Sequence, residues 1–509
     1  MNLRVINKGK FSYLVELKRE LNKEKVDFRK ISNILQKNLF NFGVIIESNN
    51  FSFAATDRIN SYPIFYNENH NKPYFIINNC LTEDSVKDEN NLNEFMCSGY
   101  NCFDRTIFKK INKLQSSEFI FYKKNTKRLI KKFYFLFLPN YKKNKKTIKE
   151  TSIAFEKVFQ RMNDQIKNKP VCLFLSAGLD SRLLACKLHE MGKKDITFLS
   201  YGISNNFESN EAKKVAKTLG VAWHHINPNT KKCRKIFNSK IIEEYWKSGD
   251  NFSSFLSLRE FFVLKEIKDK KIIPDDSIIM NGQSGDFITG GHTEIVDRNL
   301  RNLNLSKLSD IIIKKHFSIN TNFLNKRVRN LIFEDIQYWK KEFKLTSQPK
   351  ELLRLYEFWE WIERQTKYVT QGVRAYEFFN YKWLMPLWDF ELMNYWKNVP
   401  LSQKKKQNLY INYLKDYNYK NLFKNYRRTQ SQFPVQYKWL IIFGNVAHLL
   451  FGRNKKENFY KIMQYFGQYN HQYKVYNLSE FIRNYKIIKN PLSLFLNTWK
   501  ERRLDEFKG

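Results

Sequence analysis

Two polar stretches of this chain each follow an apolar run, and both have the residue types of a phosphate-binding loop. The first comes directly after the apolar residues 171–175 and reads Ser176-Ala177-Gly178-Leu179-Asp180-Ser181. Its small residues would let an anion approach the backbone N–H groups, and Asp180 offers a carboxylate of the kind that a phosphate-bound Mg²⁺ prefers. The alternative is an ordinary strand-to-helix turn whose serine and aspartate cap the helix.

The second stretch follows the apolar residues 277–280 and surrounds one aspartate, Asp286, with glycines. Those glycines are Gly282, Gly285, Gly290 and Gly291. Loops that leave the carboxyl ends of parallel strands lie at one edge of the sheet. We therefore expect the two stretches to face each other, with Asp180 and Asp286 close enough to hold one metal ion.

The elements that must position these loops are strands and helices in alternation. An apolar run without polar alternation, such as residues 171–175, predicts a strand of a parallel sheet that is covered on both faces. Residues 196–201 and 221–226 predict two more strands, and residues 208–219 predict a helix that ends at Gly220. This order predicts an α/β fold built on a doubly wound parallel sheet.

The parts on either side of this core have different patterns. Between residues 42 and 77, short β-rich runs alternate with turn residues, which predicts a smaller α+β domain. From about residue 305 onwards, dense aromatic and leucine spacing predicts helices. The resulting division is a front domain of residues 1–140, a charged linker of residues 141–150, an α/β core of residues 151–300 and a mainly helical remainder of residues 301–509.

The chain is strongly basic, because its 89 lysines and arginines exceed its 50 aspartates and glutamates and give a net charge of +39. An excess of this kind can indicate a nucleic-acid or anionic-membrane partner. The lysines are spread through every segment, however. We therefore expect a generally basic surface and no specific nucleic-acid site.

Cysteine usage and hydropathy indicate a cytoplasmic protein. The six cysteines never form a C-x-x-C pair, which fits a reduced compartment and argues against a cysteine-based zinc site. Residues 439–452 form the longest apolar run near the C-terminus, but they are too few for a membrane span. The N-terminal residues have no signal-peptide core. We therefore expect no transmembrane segment.

Several phrases of the chain resemble one enzyme family, in the order in which that family carries them. The first polar stretch resembles the S-G-G-x-D-S signature of the PP-loop ATP pyrophosphatases, with Ala177 in place of the second glycine. The second resembles the G-x-G-G/A-D-E-L-F-G-G-Y motif of asparagine synthetases, with Ser284 and Phe287 in place of a glycine and the glutamate. Further phrases similar to this family are residues 53–66, 99–122, 207–226, 385–400 and 427–434.

The resemblance implies that ATP and Mg²⁺ are the cofactors. ATP would convert a small-molecule carboxylate into an acyl-adenylate with release of pyrophosphate, and an amine would then displace AMP. Asp180, Asp286 and Arg428 would act in catalysis: the two aspartates as metal ligands, and the arginine where the family has a lysine near the phosphates. The nucleotide-binding residues would be Ser176, Ala177, Gly178, Leu179, Asp180, Ser181, Glu208, Gly282 and Gly285.

Glu208 has a second interpretation that the sequence leaves open. It stands at the start of a predicted helix, where a glutamate is favoured by the helix dipole without any contact to a ligand.

Residues 1–140 resemble the class II glutamine amidotransferase domain of the same family in a degenerate form. That domain uses a cysteine at the first position as its nucleophile, whereas this chain begins Met1-Asn2 and its first cysteine is Cys80. We expect no glutaminase activity, so the amine would be free ammonia, the product of a separate amidotransferase or an amine on the substrate. The alternative is that Cys80, Cys97 or Cys102 serves as the nucleophile.

The expected function is ATP-dependent amide-bond formation by an AMP-forming carbon–nitrogen ligase, in bacterial surface-polysaccharide or secondary-metabolite biosynthesis. Two alternatives stay open. A PP-loop enzyme that modifies tRNA would suit the charge of +39. A scaffold that kept the fold and lost the chemistry would suit the replacement of the glutamate by Phe287.

Overall fold

A computed structural model describes most of the chain, namely residues 3–67, 74–77, 85–141, 144–202, 204, 206–424, 459, 462–463, 465–469, 473–488 and 490–504. Four of the sequence-based expectations fall outside the described residues. They concern Cys80, Arg428, the phrase of residues 427–434 and the apolar run of residues 439–452. No helix of the described residues is both long enough and apolar enough to cross a membrane.

The strands of the described residues form three sheets. They are β1 (Arg4–Gly9), β2 (Phe42–Glu47), β3 (Phe51–Thr56), β4 (Ile64–Asn67), β5 (Phe75–Ile77), β6 (Ile111–Lys113), β7 (Glu118–Lys123), β8 (Arg128–Phe133), β9 (Val171–Phe174), β10 (Ile196–Tyr201), β11 (Ala222–Ile226), β12 (Ile278–Met280) and β13 (Lys382–Leu384).

The α-helices lie around and after these sheets. They are α1 (Leu14–Leu21), α2 (Phe28–Lys37), α3 (Glu89–Ser98), α4 (Ile148–Ile166), α5 (Leu179–Glu190), α6 (Phe207–Leu219), α7 (Thr230–Phe237), α8 (Ile241–Gly249), α9 (Leu258–Asp269), α10 (Gly285–Ile288), α11 (Glu294–Asp297), α12 (Leu305–His316), α13 (Lys326–Glu342), α14 (Pro349–Trp359), α15 (Arg374–Phe378), α16 (Phe390–Lys397), α17 (Leu401–Lys404), α18 (Asn408–Tyr417), α19 (Leu478–Ile487) and α20 (Leu492–Leu504).

Shorter or wider helical turns complete the helical part. A π-helix, Glu360–Val369, continues directly from α14. The 3₁₀ turns are Leu300–Asn302, Thr321–Phe323, Thr370–Val373, Pro386–Trp388, Lys405–Gln407 and Tyr419–Asn421.

The front of the chain folds into two antiparallel sheets, as its alternating pattern indicates. One sheet has the strand order β1-β2-β3-β7-β8, and the other has the order β5-β4-β6. Helix α2 begins where the Asp27 carboxylate accepts hydrogen bonds from the N–H groups of Arg29 and Lys30, and its apolar side chains are buried in the core. The α+β architecture predicted for this part is therefore confirmed, whereas its identity as an amidotransferase domain stays a prediction.

The central sheet is parallel and has the strand order β11-β10-β9-β12-β13. The chain passes outward through β9, β10 and β11 on one side and through β12 and β13 on the other. Ligands of open α/β sheets bind where the strand order reverses. In this sheet the reversal lies between β9 and β12, the two strands that lead into the polar stretches.

Strand β13 lies within the part of the chain that the sequence predicts to be mainly helical. Lys382–Leu384 pairs with β12 and forms the edge of the parallel sheet. A strand of three residues is too short for apolar periodicity to reveal, and its identity comes from its pairing with β12.

The front domain and the helical part share a buried cluster of charged residues. Arg105 lies between two carboxylates: its guanidinium is 2.7 Å from Glu94 Oε1 and donates to Asp335 Oδ1 at 2.9 Å. Burial raises the pKa of Asp335 to about 7, against the opposing charge of Arg105. Glu94, Cys102 and Asp335 also form the single group of three metal-type ligands in the described residues. Because Arg105 already pairs with both carboxylates, this cluster is an ion-pair network that joins the two parts of the chain.

We predict that Arg105→Met lowers the free energy of unfolding by about 3–5 kcal/mol, because it leaves two buried carboxylates without their cation. Chemical denaturation of the full chain measures this loss. Lys37→Met is the matched control, since Lys37 and Glu16 form an exposed pair worth at most about 1 kcal/mol. Equal losses in the two variants would contradict the prediction.

Candidate active site

The first polar stretch folds as the predicted strand, loop and helix N-terminus. Strand β9 ends at Phe174, and helix α5 begins at Leu179 with Gly178 as its N-cap. Ser181 Oγ accepts a hydrogen bond from the Ser176 N–H at 3.1 Å, and Ser176 Oγ accepts one from the Gly178 N–H at 3.1 Å. Gly178, the N-cap residue, has no side chain with which to cap α5. The N–H groups of its first turn are therefore available to an anionic ligand.

The second polar stretch packs directly against the first. A Cβ atom added at Gly282 would lie 2.8 Å from the Ser181 backbone nitrogen, and one added at Gly285 would lie 2.7 Å from Asp180 Oδ1. Side chains cannot be accommodated at such distances. Between these glycines, Ser284 adopts the left-handed conformation with a φ of 67° and starts the short helix α10. The expectation that the two stretches face each other is therefore confirmed.

Asp180 lies at the point of contact between the two loops. Its Oδ2 atom accepts a hydrogen bond from the Asp286 N–H at 2.9 Å, and its Oδ1 atom accepts one from the Tyr410 hydroxyl at 2.8 Å. Burial, and then the nearby charge of Asp286, raise the pKa of Asp180 to about 7. The two aspartates proposed as metal ligands are thus neighbours.

Asp286 has a cationic partner that the sequence did not indicate. His292 Nε2 is 3.0 Å from Asp286 Oδ2, and His292 Nδ1 is 2.5 Å from Glu360 Oε1. Burial opposes protonation of His292, but Glu360 and Asp286 outweigh it and raise the pKa of His292 to about 10. Against the effect of burial, the His292 imidazolium in turn lowers the pKa values of Asp286 and Glu360. Lys315 lies 3.2 Å from Glu360 and adds a second cation.

Phe287, which stands where the resembled motif has a glutamate, is a core residue. It is 1% exposed, and its ring packs against Phe137 and Trp388 at centroid distances of 5.7 and 5.9 Å. An acidic group of the π-helix also reaches this loop, through the contact of Glu360 with His292. No local pattern in the sequence signals that contact, because the two elements meet only in the folded chain.

The loops border a cleft with a volume of about 290 Å³, close to the lower limit of roughly 300 Å³ for small-molecule sites. Six of the predicted residues line it, namely Ser176, Gly178, Asp180, Ser181, Glu208 and Gly282. Ala177, Leu179, Gly285 and Asp286 belong to the same two loops without lining the cleft. Lining residues that the sequence analysis did not single out for the site include Tyr201, Arg259, Glu260, Asn281, Gln283 and Tyr376.

The cleft-lining residues that the sequence did not indicate lie at the ends of strands and at the starts of helices, near the same edge of the sheet. Arg259 is in the first turn of α9, with its guanidinium 5.2 Å from the Tyr201 ring centroid. Tyr201 donates to Glu260 Oε1 at 3.1 Å. Asn281 donates to the Tyr376 hydroxyl at 3.2 Å. A sequence signal did exist for Tyr201 and Asn281, since each is at or directly after the carboxyl end of a predicted strand.

The donor set at the contact of the loops fits a hard divalent cation. Asp180 and Asp286 provide carboxylate oxygens, which Mg²⁺ prefers as ligands. Burial and the nearby charge of Asp286 raise the pKa of Asp180, while His292 pairs with Asp286. A bound cation would favour the ionised form of both.

Fold and site together define a nucleotide-binding α/β protein with paired loops at the switch point of its sheet. The asparagine synthase family matches residues 158–434, which is more than half of the chain. The chain therefore belongs to the asparagine synthase family, and its class is that of the ATP-dependent ligases.

Solved structures that are similar to parts of this chain include the following two. The NH3-dependent NAD synthetase from Campylobacter jejuni subsp. jejuni NCTC 11168, in complex with the nitrate ion, is 17% identical with a TM-score of 0.21, and the match covers 41% of this chain and 93% of that one. The glutamine phosphoribosylpyrophosphate amidotransferase from B. subtilis, complexed with ADP and GMP, is 8% identical with a TM-score of 0.17, and the match covers 55% of this chain and 61% of that one. A search of curated proteins found no match.

We predict that Gly285→Ala weakens ATP binding by roughly tenfold or more, because the new methyl group must displace the Asp180 carboxylate. Equilibrium binding of a fluorescent ATP analogue measures the change. Gly467→Ala is the control, since a Cβ atom there meets no atom of the described residues within 4 Å. Unchanged affinity in Gly285→Ala would show that the close contact of the loops is not needed for binding.

The raised pKa of Asp180 also predicts a pH-dependent stability. The pKa of the Asp180 carboxyl group is about 7 in the folded chain, against 3.8 for an unperturbed aspartate in the unfolded chain. The group therefore contributes to the stability of the fold at low pH, and this contribution is lost as the pH rises towards 7. Asp180→Asn removes this dependence. We therefore expect the free energy of unfolding of the variant, minus that of the wild type, to be roughly 1–3 kcal/mol larger at pH 8 than at pH 5. Denaturation at the two pH values measures the difference, and a pH-independent difference would contradict it.

Proposed function

We propose that this protein is an AMP-forming ligase that adenylates a small-molecule carboxylate and then transfers the acyl group to an amine. In the first step a carboxylate oxygen attacks the α-phosphorus of ATP, and the bond to the β-phosphate oxygen breaks to release pyrophosphate. In the second step an amine nitrogen attacks the acyl carbon, the bond to AMP breaks and AMP leaves with the electron pair. The amine loses one proton to solvent.

The observation that carries this proposal is the contact of two loops that border one cleft, which brings the N-terminus of α5, Asp180 and Asp286 together. The N–H groups of the first turn of α5 would bind phosphate oxygens, and Asp180 and Asp286 would hold Mg²⁺. When bound, Mg²⁺ would neutralise the charge that develops on the pyrophosphate. Glu208 lines the same cleft and would contact the nucleotide or the substrate.

The contribution of Arg428 is part of the proposal that the described residues do not address. We assign it the role of a cation near the phosphates, as the resemblance implies. The guanidinium would stabilise negative charge on the leaving pyrophosphate.

We further propose that the amine does not come from glutamine hydrolysis by this chain. Cys97 and Cys102 are both buried, and burial raises the pKa of each thiol, that of Cys97 to about 12. Thiols of this kind are poor nucleophiles because the thiolate form is disfavoured. The donor would then be free ammonia, the product of a separate amidotransferase or an amine on the substrate. We place the reaction in the cytoplasm, which supplies ATP and keeps thiols reduced.

The test is carboxylate-dependent exchange of labelled pyrophosphate into ATP, with pools of small carboxylates as substrates. We predict exchange with at least one pool, and a loss of roughly 100-fold or more in Asp180→Ala, because a group that holds the phosphates and their metal is removed. Asp276→Ala is the matched control, since Asp276 is exposed and pairs with Lys169 at 2.9 Å, away from the two loops.

Absence of exchange with every pool would contradict the proposal. Retention of tRNA in a filter-binding assay at moderate salt would then favour a tRNA-modifying enzyme, because its binding would survive partial screening of the charge of +39. Absence of both activities would favour a scaffold.

A further inference from the structure

Helix α20, which lies outside the residues 158–434 that match the family, carries an arginine into the interior of the protein. Arg503 is 2% exposed, and its Nε donates to Oδ2 of the fully buried Asp250 at 3.0 Å. The indole N–H of Trp499, on the same helix, donates to the same oxygen at 2.8 Å. A buried carboxylate requires partners of this kind. Helix α20 therefore supplies them to Asp250.

Asp250 begins the loop of residues 250–257, which connects α8 to α9. The next two residues, Asn251 and Phe252, both adopt the left-handed conformation, with φ values of 46° and 49°. Residues other than glycine keep this conformation only where their surroundings hold them in it. Asp250 Oδ1 accepts a hydrogen bond from the Phe252 N–H at 3.2 Å. The carboxylate that α20 binds thus also holds the turn at the start of the loop.

The front domain holds the same loop from another side. The Ile107 N–H donates to the Phe252 carbonyl at 3.2 Å, and the Phe255 N–H donates to the Gly99 carbonyl at 2.6 Å. These are backbone hydrogen bonds, so they fix the path of the loop itself. The loop therefore lies between two elements, α20 and the front domain, that are distant from it in the chain.

The loop ends at the first turn of α9, which reaches the cleft. Ser257 is the N-cap of α9, and its Oγ accepts a hydrogen bond from the Arg259 N–H at 3.3 Å. Arg259 is the one cationic side chain among the described residues that line the cleft. Its guanidinium makes no hydrogen bond or ion pair within the part of the chain that the structure describes. A cation in this situation is suited to an anionic ligand, and the loop determines where it stands.

We propose that Arg503 is a positioning residue for the cleft, which acts through Asp250 and the α8–α9 loop to place Arg259 against a phosphate of ATP. This inference rests on the proposed function, because ATP is the ligand. No residue of α20 lines the cleft, so the helix acts at a distance. Coupling between two sites is reciprocal. Binding of ATP therefore stabilises the packing of α20 in return.

The first test is equilibrium binding of a fluorescent ATP analogue to variants of the full chain. Arg503→Met removes the cation from Asp250 and raises the Kd roughly tenfold, which is a usual size for coupling between two sites. Arg502→Met is the matched control, since Arg502 is the preceding residue of α20 and donates to the Phe237 carbonyl of α7 at 2.7 Å. Its Kd stays within about twofold of the wild type. Binding is measured at a temperature at which circular dichroism shows every variant to be folded.

A double-mutant cycle distinguishes this role from a merely structural one. Arg259→Met removes the group through which Arg503 acts. The double variant Arg259→Met/Arg503→Met therefore binds the analogue within about twofold of Arg259→Met alone. A residue that only stabilised the fold would instead add its full loss to that of Arg259→Met.

Two further measurements serve if Arg503→Met does not fold. Trp499→Phe keeps an aromatic ring in place and removes only the N–H that Asp250 accepts, and it raises the Kd by roughly threefold. In the unaltered protein, ATP slows amide hydrogen exchange in α20, which mass spectrometry of its peptides detects.

Each contrary outcome has a distinct meaning. An unchanged Kd in both Arg503→Met and Trp499→Phe would overturn the inference while leaving the ligase intact. Additive losses in the double variant, or exchange in α20 that does not respond to ATP, would also overturn it. Absence of both ATP binding and pyrophosphate exchange in the wild type would overturn the proposed function itself, and this inference with it.

Discussion

The close contact of two loops at the switch point of the parallel sheet is the constraint on which the rest of the site depends. Gly282 and Gly285 are the residues that allow it, since a Cβ atom on either would meet Asp180 or Ser181 at less than 3 Å. The contact buries the Asp180 carboxylate and places it beside Asp286, and both effects raise its pKa. Neighbouring carboxylates of this kind are a donor set that divalent cations prefer.

A chain of alternating charges extends this contact into the helical part of the protein. Asp286, His292, Glu360 and Lys315 follow one another at distances of 2.5–3.2 Å. Glu360 opens the π-helix, and Gln365 of the same π-helix accepts a hydrogen bond from Ser284 at 2.7 Å. π-helical turns are rare and often occur at functional sites. In this protein the π-helix carries two groups that support the second loop, Glu360 through His292 and Gln365 through Ser284.

The front domain supports this arrangement through its packing. Arg58 donates to the Trp388 carbonyl at 2.8 Å, and the indole N–H of Trp361 in the π-helix donates to the Arg58 carbonyl at 3.1 Å. Phe137, at the end of the same domain, packs against Phe287 in the second loop. Together with the buried ion pairs of Arg105, these contacts make the front domain a structural support for the helices that reach the cleft. That role does not require any glutaminase chemistry.

The sequence by itself determined those elements of this protein that depend on residues close to one another in the chain. The strand, loop and helix start at residues 171–184, the second glycine-containing loop and the β-rich front of the chain were all predicted, because periodicity and turn chemistry act over a few residues. Only the tertiary structure decided that three residues after position 381 complete the sheet and that His292 lies between Asp286 and Glu360. These features depend on which elements meet at one sheet edge. That is set by the packing of segments far apart in the chain, and no local spacing records it.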